Sequence, residues 1–204
     1  MAMTAKHIHH LPVTEQGEVV GMITTTDLMN NEGHNAVNFS SIIHKAKNRE
    51  ELKEISKLLP KLQIRLAKLG TSADYVGKTI SAITMAFTKR LIEMAEEKYG
   101  QAPVPYAWIA AGSQARQEQL AHSDQDNGLI ICDSMKPDDD AWFEKLAHFV
   151  CDGLASCGFI YCPGDIMATN PKWRQPTKVW QQYFDRWVDT PTPEALLNAS
   201  VFFD

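Results

Sequence analysis

The chain has 204 residues, enough for one or two domains with a real core, and its 44% hydrophobic and 22% charged residues make an ordinary globular balance. Twenty basic against 25 acidic residues leave a net charge of −5, which argues against broad nucleic-acid binding, since that needs a basic footprint. No run approaches the roughly eighteen uninterrupted apolar residues of a membrane span, and no stretch reads as a signal peptide. Cys132, Cys151, Cys157 and Cys162 contain no Cys-x-x-Cys pair and, even with His148, match no common zinc spacing. They read as apolar core thiols, and a reducing, cytoplasmic compartment is the expectation.

Residues 1–30 hold Leu11-Pro12-Val13, a turn at Gln16-Gly17, the run Val19-Val20-Gly21-Met22-Ile23-Thr24, and Asp27-Leu28-Met29. The order is strand, turn, strand, helix start, which a simple N-terminal hairpin would share. The pattern resembles the closing part of a cystathionine-beta-synthase (CBS) domain, which ends on Pro-Val and then Gly-x-Ile-Thr-x-x-Asp-Leu. The resemblance implies that Thr24 and Asp27 occupy positions that contact the phosphate and ribose of an adenine nucleotide. It also implies that residues 1–30 are the C-terminal remnant of a larger regulatory module. A lone strand pair and helix cannot bury its own apolar face. This stretch is therefore expected to pack on a second copy of the chain as a homodimer, to pack on the long helices, or to stay mobile.

Residues 31–39 are polar, with Asn31, Asn35 and Asn38, and read as a linker. Residues 40–100 read as helical. Leu52, Ile55, Leu58, Leu59, Leu62, Leu66 and Leu69 recur at three- and four-residue spacing, an apolar stripe on one helix that Pro60 kinks or bounds. Gly70 ends that helix and Ser72 caps the next, whose inner face is Val76, Ile80, Ile83, Phe87, Leu91 and Met94. The two form an antiparallel helical hairpin. Gly77-Lys78-Thr79 is not a phosphate-binding P-loop: Ser72 stands where the first glycine is needed, and no strand precedes it.

Residues 101–168 hold the chemistry. Two apolar runs, Tyr106–Ala111 and Gly128–Cys132, read as buried strands. Between them lie Gly112-Ser113, about two turns of helix with Arg116 and Glu118, and Ser123-Asp124-Gln125-Asp126. Residues i and i+2 of a strand share a face, so Asp124 and Asp126 aim both carboxylates at one point, a geometry suited to Mg²⁺. Glycine lets backbone approach a ligand, and a helix start offers free N–H groups to an anion. An anion site beside a cation site favours a metal-bridged nucleoside triphosphate. Taken singly, Asp-x-Asp is usually a solvated turn, and Arg116 and Glu118 could be a solvated helix face.

This arrangement resembles the nucleotidyltransferase superfamily that includes DNA polymerase beta and the PII uridylyltransferase: an apolar strand, Gly-Ser, roughly ten residues, then Asp-x-Asp. It is most similar to the nucleotidyltransferases that follow CBS or cyclic-nucleotide-binding domains in bacterial proteins, where Gly-Ser-x-x-Arg-x-Glu and Ser-Asp-Gln-Asp-Asn stand as at 112–118 and 123–127. The resemblance implies an α+β fold: a small mixed β-sheet core flanked by helices and preceded by the helical hairpin. It implies catalytic and metal-ligating roles for Asp124 and Asp126, and nucleotide-binding roles for Gly112, Ser113, Arg116 and Ser123. The cofactor would be Mg²⁺ or Mn²⁺. Gln125 and Asn127 depart from the superfamily, which flanks the acids with apolar residues, so this strand end is expected to be more solvated.

Further along, Trp142, Leu146, Phe149, Val150 and Leu154 form a helix face ending near Cys157-Gly158. Phe159–Cys162 reads as a short strand, and Asp165–Ala168 as its continuation after a Pro163-Gly164 turn. Asp165 is the candidate third carboxylate, with a turn residue as the alternative. Residues 169–204 resemble the start of the family's helical C-terminal domain, and the chain is expected to be truncated at both ends. Trp173, Trp180 and Trp187 read as core packing, with base stacking the minor alternative; Lys172 and Arg174 would either neutralise phosphate or be solvated.

Two functions are open. One is metal-dependent transfer of NMP from an NTP to a hydroxyl of a protein or small molecule, within a CBS-regulated signalling protein. The other is a catalytically inactive module that binds a nucleotide and transmits a signal.

Overall fold

The computed structural model describes residues 8–24 and 36–203. Strands β1 (His10–Glu15) and β2 (Glu18–Thr24) form an antiparallel hairpin. Its turn residues Gln16 and Gly17 both have positive φ, 50° and 90°, the two-residue turn that matches strand twist. Val13, Val19, Val20, Met22 and Ile23 on this hairpin are exposed. Asp27, and the helix start expected around it, lie outside the described residues.

Helix α1 (Ala36–Lys45) begins inside the stretch read as linker. The leucine stripe belongs to two helices rather than one: α2 (Arg49–Ser56) and α3 (Leu59–Lys68). Asn48 caps the first by accepting from the Glu51 amide at 2.9 Å. Pro60 sits at the start of the second, where its missing N–H costs nothing. The break resets the helical phase, so Leu52, Leu59 and Leu62 are buried while Leu58 and Leu69 are exposed. Gly70, at φ 71°, closes α3: its amide bonds Ala67 O and the Thr71 amide reaches back to Leu66 O.

The long helix α4 (Ala73–Tyr99, 27 residues) is the spine. Ser72 accepts from the Tyr75 amide, and the six apolar positions read from its periodicity are all buried. It packs against α6 (Asp140–Ser156), whose buried face is Phe143, Leu146, Ala147, Val150, Cys151 and Leu154; Trp142 and Phe149 are half-buried. Phe87 meets the ring of Phe159 edge-on at 6.0 Å.

These helices cover one face of a three-stranded sheet of β3 (Tyr106–Ala110), β5 (Asn127–Ile131) and β7 (Arg174–Pro176). β5 is central, antiparallel to β3 and parallel to β7. Side chains alternate across it: Leu129 and Ile131 join the helical core, while Ile130 and Ile109 face a second, aromatic cluster. That cluster is Trp173, Trp180, Trp187 and Phe202, carried by a 3₁₀ turn at Pro171–Trp173 and by α7 (Thr177–Asp189) and α8 (Pro193–Phe202). Trp180 Nε1 donates to Leu129 O at 2.9 Å, so the tryptophan row is the sheet's second cover. The third strand is therefore 174–176. Residues 165–168 form no strand, because positive φ at Asp165 turns the chain there, although Ile166 O still takes the Asn127 amide at 3.0 Å. The fold is α+β, a small mixed sheet flanked by helices.

One glycine on α4 sets how close the spine lies to the loop after β3. A Cβ at Gly77 would stand 2.6 Å from Gln117 O and 3.0 Å from Glu118 Cα, both backbone atoms that cannot swing aside. Gly77→Ala gains up to about 1 kcal/mol of helix propensity but overpacks at a cost of about 1–3 kcal/mol. A net loss of about 1–2 kcal/mol in denaturant unfolding is expected. A gain in stability would show that the loop yields freely.

Candidate active site

The site is built where β3 ends and β5 begins. Ala110 pairs with Asn127, and the Ala111 amide donates to Asp126 O at 2.9 Å, so the ladder carries Gly112 up to Asp126. Gly112 has φ 56°, and a Cβ there would overlap Asp126 Oδ2. Glycine is required twice over, for the left-handed backbone and for the carboxylate's room. The helix that follows, α5 (Gly112–Ala115), is a single turn rather than two. Only its first amides, not a long helix dipole, can serve an anion.

The loop from 116 to 123 is tied down by the helices beneath it. The Gln119 amide donates to Ser81 Oγ at 3.3 Å on α4, and the Ala121 amide to Gln63 Oε1 at 2.7 Å on α3. Ser123 Oγ accepts from the Leu120 amide at 3.0 Å, which occupies that hydroxyl in shaping the loop. His122 Nδ1 lies 3.3 Å from Gly158 O. Of the four non-glycine residues with positive φ among the described residues, three are at the site's loops: Gln117, His122 and Asp165. Such backbone persists where the surroundings over-determine it, as at ligand sites.

Strand β4 (Asp124–Gln125) pairs in parallel with β6 (Ile160–Tyr161), Asp124 opposite Ile160 and Gln125 opposite Tyr161. Asp126 and Cys162 are the next residues after these two paired strands. Asp124, Asp126 and Cys162 accordingly bring two carboxylate oxygens and a sulfur within 4.8 Å of one another. All three side chains are half-buried. The Asp126 carboxyl is pushed above its usual range by burial and by the Asp124 charge, against the lowering effects of the Cys162 hydrogen bond and the Arg116 guanidinium. A divalent cation between the carboxylates would relieve that repulsion, so the donor set suits such an ion.

The remaining candidates divide. Ser113, half-buried on α5, stays beside Gly112. Arg116 Nε donates to Glu118 Oε2 at 3.0 Å, and its positive charge works against the rise of the Asp126 pKa. Asp165 is not in the three-residue group; its exposed carboxylate accepts from Asn170 Nδ2 at 3.0 Å. Gln125 and Asn127 are buried rather than solvated, each at 3% exposure. Strand alternation sends the acids to the cleft and the amides inward. Gln125 Nε2 donates to Cys151 O and Phe159 O, and Asn127 Oδ1 accepts from the Ala168 amide at 2.8 Å. These bonds hold β4 and β5 rigid behind the acids. Arg174 is buried and paired with Asp140, and Lys172 pairs with Glu194 at 3.0 Å across the face of Trp173.

Residues 57–194 match the family model described as "Putative nucleotidyltransferase DUF294", well over half of the chain. The chain belongs to the DUF294 nucleotidyltransferase family. Residues 1–33 match the CBS-domain model, so this DUF294 chain carries CBS sequence ahead of its nucleotidyltransferase unit. No curated protein and no solved structure matches it. The DUF294 match spans Gly112, Ser113, Asp124, Asp126 and Cys162 alike. Among the described residues, no helix is long and apolar enough to cross a membrane.

Cys162, which reads as a core thiol from sequence, instead lies half-buried in the group with Asp124 and Asp126. Cys151 and Cys157 do fit that reading, with burial pushing their thiols up to about 12 and about 11. The signal for Cys162 is the parallel pairing of 160–161 with 124–125 just before it, which no local pattern announces.

Proposed function

We propose that this protein is a Mg²⁺- or Mn²⁺-dependent nucleotidyltransferase that moves NMP from an NTP to a hydroxyl of a protein or small molecule, under control of the CBS module. The observation that carries the reading is the carboxylate pair of Asp124 and Asp126 set against Gly112 in a family-matched fold. A bound divalent ion would supply charge neutralisation for the triphosphate and a lowered pKa for the acceptor hydroxyl. Asp124 and Asp126 would hold it. The Gly112 backbone and Ser113 would hold the β- or γ-phosphate, and Arg116 would add positive charge beside it. The chain's own work is positioning and charge neutralisation, with no covalent intermediate.

A nucleotide-binding module without turnover is the second reading. One observation favours it: Asp165 faces Asn170, and no third carboxylate joins the pair among the described residues.

A screen of the four NTPs with Mg²⁺ or Mn²⁺, reading thermal shift and pyrophosphate release, separates the two. The transferase reading expects metal-dependent stabilisation by at least one NTP, and pyrophosphate release once an acceptor hydroxyl is supplied. Stabilisation without release from any acceptor mixture supports the binding module. No stabilisation by any metal–NTP pair overturns both.

A further inference from the structure

We infer that Cys162 is a third protein donor at the Asp124–Asp126 cation site, and that its sulfur biases the site toward thiophilic divalent cations of the zinc class over Mg²⁺. The inference rests on the proposed metal site and specifies its selectivity. Three features carry it. The Cys162 sulfur and one oxygen from each aspartate lie within 4.8 Å of one another, a spacing that a single ion can span once its ligands close on it. Asp126 and Cys162 are the residues that directly follow the paired strands β4 and β6, so the backbone leads both side chains to the same place. The backbone around it is fixed on the far side as well: the Cys162 amide donates to Met167 Sδ at 3.4 Å. Asp165, with φ 54° and its amide bonded to Cys162 O at 3.0 Å, keeps the turn after Cys162 closed. A sulfur set beside two carboxylates by backbone bonded on both sides is arranged as a ligand.

The chemistry of the donors sets the selectivity. Carboxylate oxygens suit Mg²⁺ and Mn²⁺, whereas a thiolate favours Zn²⁺ and its softer analogues. Mg²⁺ demands an octahedron of oxygens and keeps its waters, so it would engage the two carboxylates and leave the sulfur aside. A zinc-class ion would take all three, with the thiol proton released to solvent as the metal–sulfur bond forms. The same position that lacks a third carboxylate would then have a soft donor in its place.

The test uses the full chain and Cd²⁺ as the thiophilic probe, with Mg²⁺ as the hard one. Alkylation by N-ethylmaleimide is followed at each cysteine by peptide mass spectrometry. Cys132, also half-exposed and remote from the aspartates in the fold, is the internal control. Cd²⁺ should slow alkylation of Cys162 at least about tenfold, and Mg²⁺ by no more than about twofold. The protection should vanish in the Asp124→Asn/Asp126→Asn double variant, which shows that the ion is shared with the carboxylates. Cys162→Ser keeps the size and offers a hard hydroxyl. It should weaken Cd²⁺ binding at least about tenfold, read by calorimetry, while Mg²⁺ binding stays within about twofold. Equal Cd²⁺ affinity in Cys162→Ser, or unchanged alkylation of Cys162 with Cd²⁺, overturns the sulfur's role and leaves the carboxylate site intact. Absence of any divalent binding that depends on Asp124 and Asp126 overturns the metal site and the inference together.

Discussion

Asp140→Ala should be among the most destabilising single changes in this chain, and more so than Arg174→Met. Arg174 is a guanidinium with a side chain 1% exposed, while Asp140 is 44% exposed. Its Nε and Nη2 donate to the two Asp140 oxygens at 2.9 and 3.3 Å. Its Nη1 donates to Ala168 O and Thr169 O at 2.9 and 3.1 Å. The burial is one-sided, and that decides the order. Removing Asp140 leaves a buried cation with only carbonyls around it, the case that costs about 3–5 kcal/mol. Removing Arg174 releases a carboxylate that water can reach and orphans two carbonyls, for about 2–4 kcal/mol. The double variant should cost less than the sum, because the charge left stranded by the first change is removed by the second. Denaturant unfolding of the three variants checks this. Equal costs, or full additivity, would show that the pair is loosely held. The consequence reaches the site, since Ala168 also anchors Asn127 behind Asp126.

How legible this was from the residues depends on whether the information was local. The inner face of the long helix follows from period alone, and Ser72 and Gly70 bound the helices by their own chemistry. Gly112, Asp124 and Asp126 carry a spacing that means the same thing wherever a strand precedes and follows it. The failures are all non-local. Strand 174–176 is three residues long and pairs with β5 across more than forty residues of chain, so nothing in its own sequence marks it. Gln125 and Asn127 look solvated by composition, and only the carbonyls of Cys151 and Phe159 and the amide of Ala168 explain their burial. Arg174 reads as either a phosphate-neutralising or a solvated residue, and is neither, because its partner lies 34 residues earlier. Cys162 was hidden for the same reason: its place beside Asp126 is a property of β4–β6 pairing, not of its neighbours in sequence.

Asp124→Asn and Asp126→Asn should each abolish most of the stabilisation that a metal–NTP pair confers, while leaving the ligand-free protein as stable as before or more so. Asparagine keeps the shape and removes the charge that a divalent ion needs. A ligand at a hundred times its dissociation constant stabilises by about 2.7 kcal/mol. For a chain of this size that is a rise of roughly 5–10 °C in melting temperature. The ligand-free behaviour has the opposite sign, and the pKa direction shows why. Burial, and the charge of Asp124, raise the Asp126 pKa in the folded state, so the fold favours the neutral carboxyl and ionisation at neutral pH works against folding. The parent protein should therefore gain stability as pH falls toward the raised pKa, and Asp126→Asn should lose most of that gain. Arg116 moderates the effect without reversing it. Thermal melts across pH, with and without metal and nucleotide, read both halves at once. If both asparagine variants keep the full metal-dependent shift, the pair does not hold the ion. A ligand-free protein weakened by several degrees in either variant would instead make the carboxylates structural, bound to partners in the fold rather than held apart for a cation.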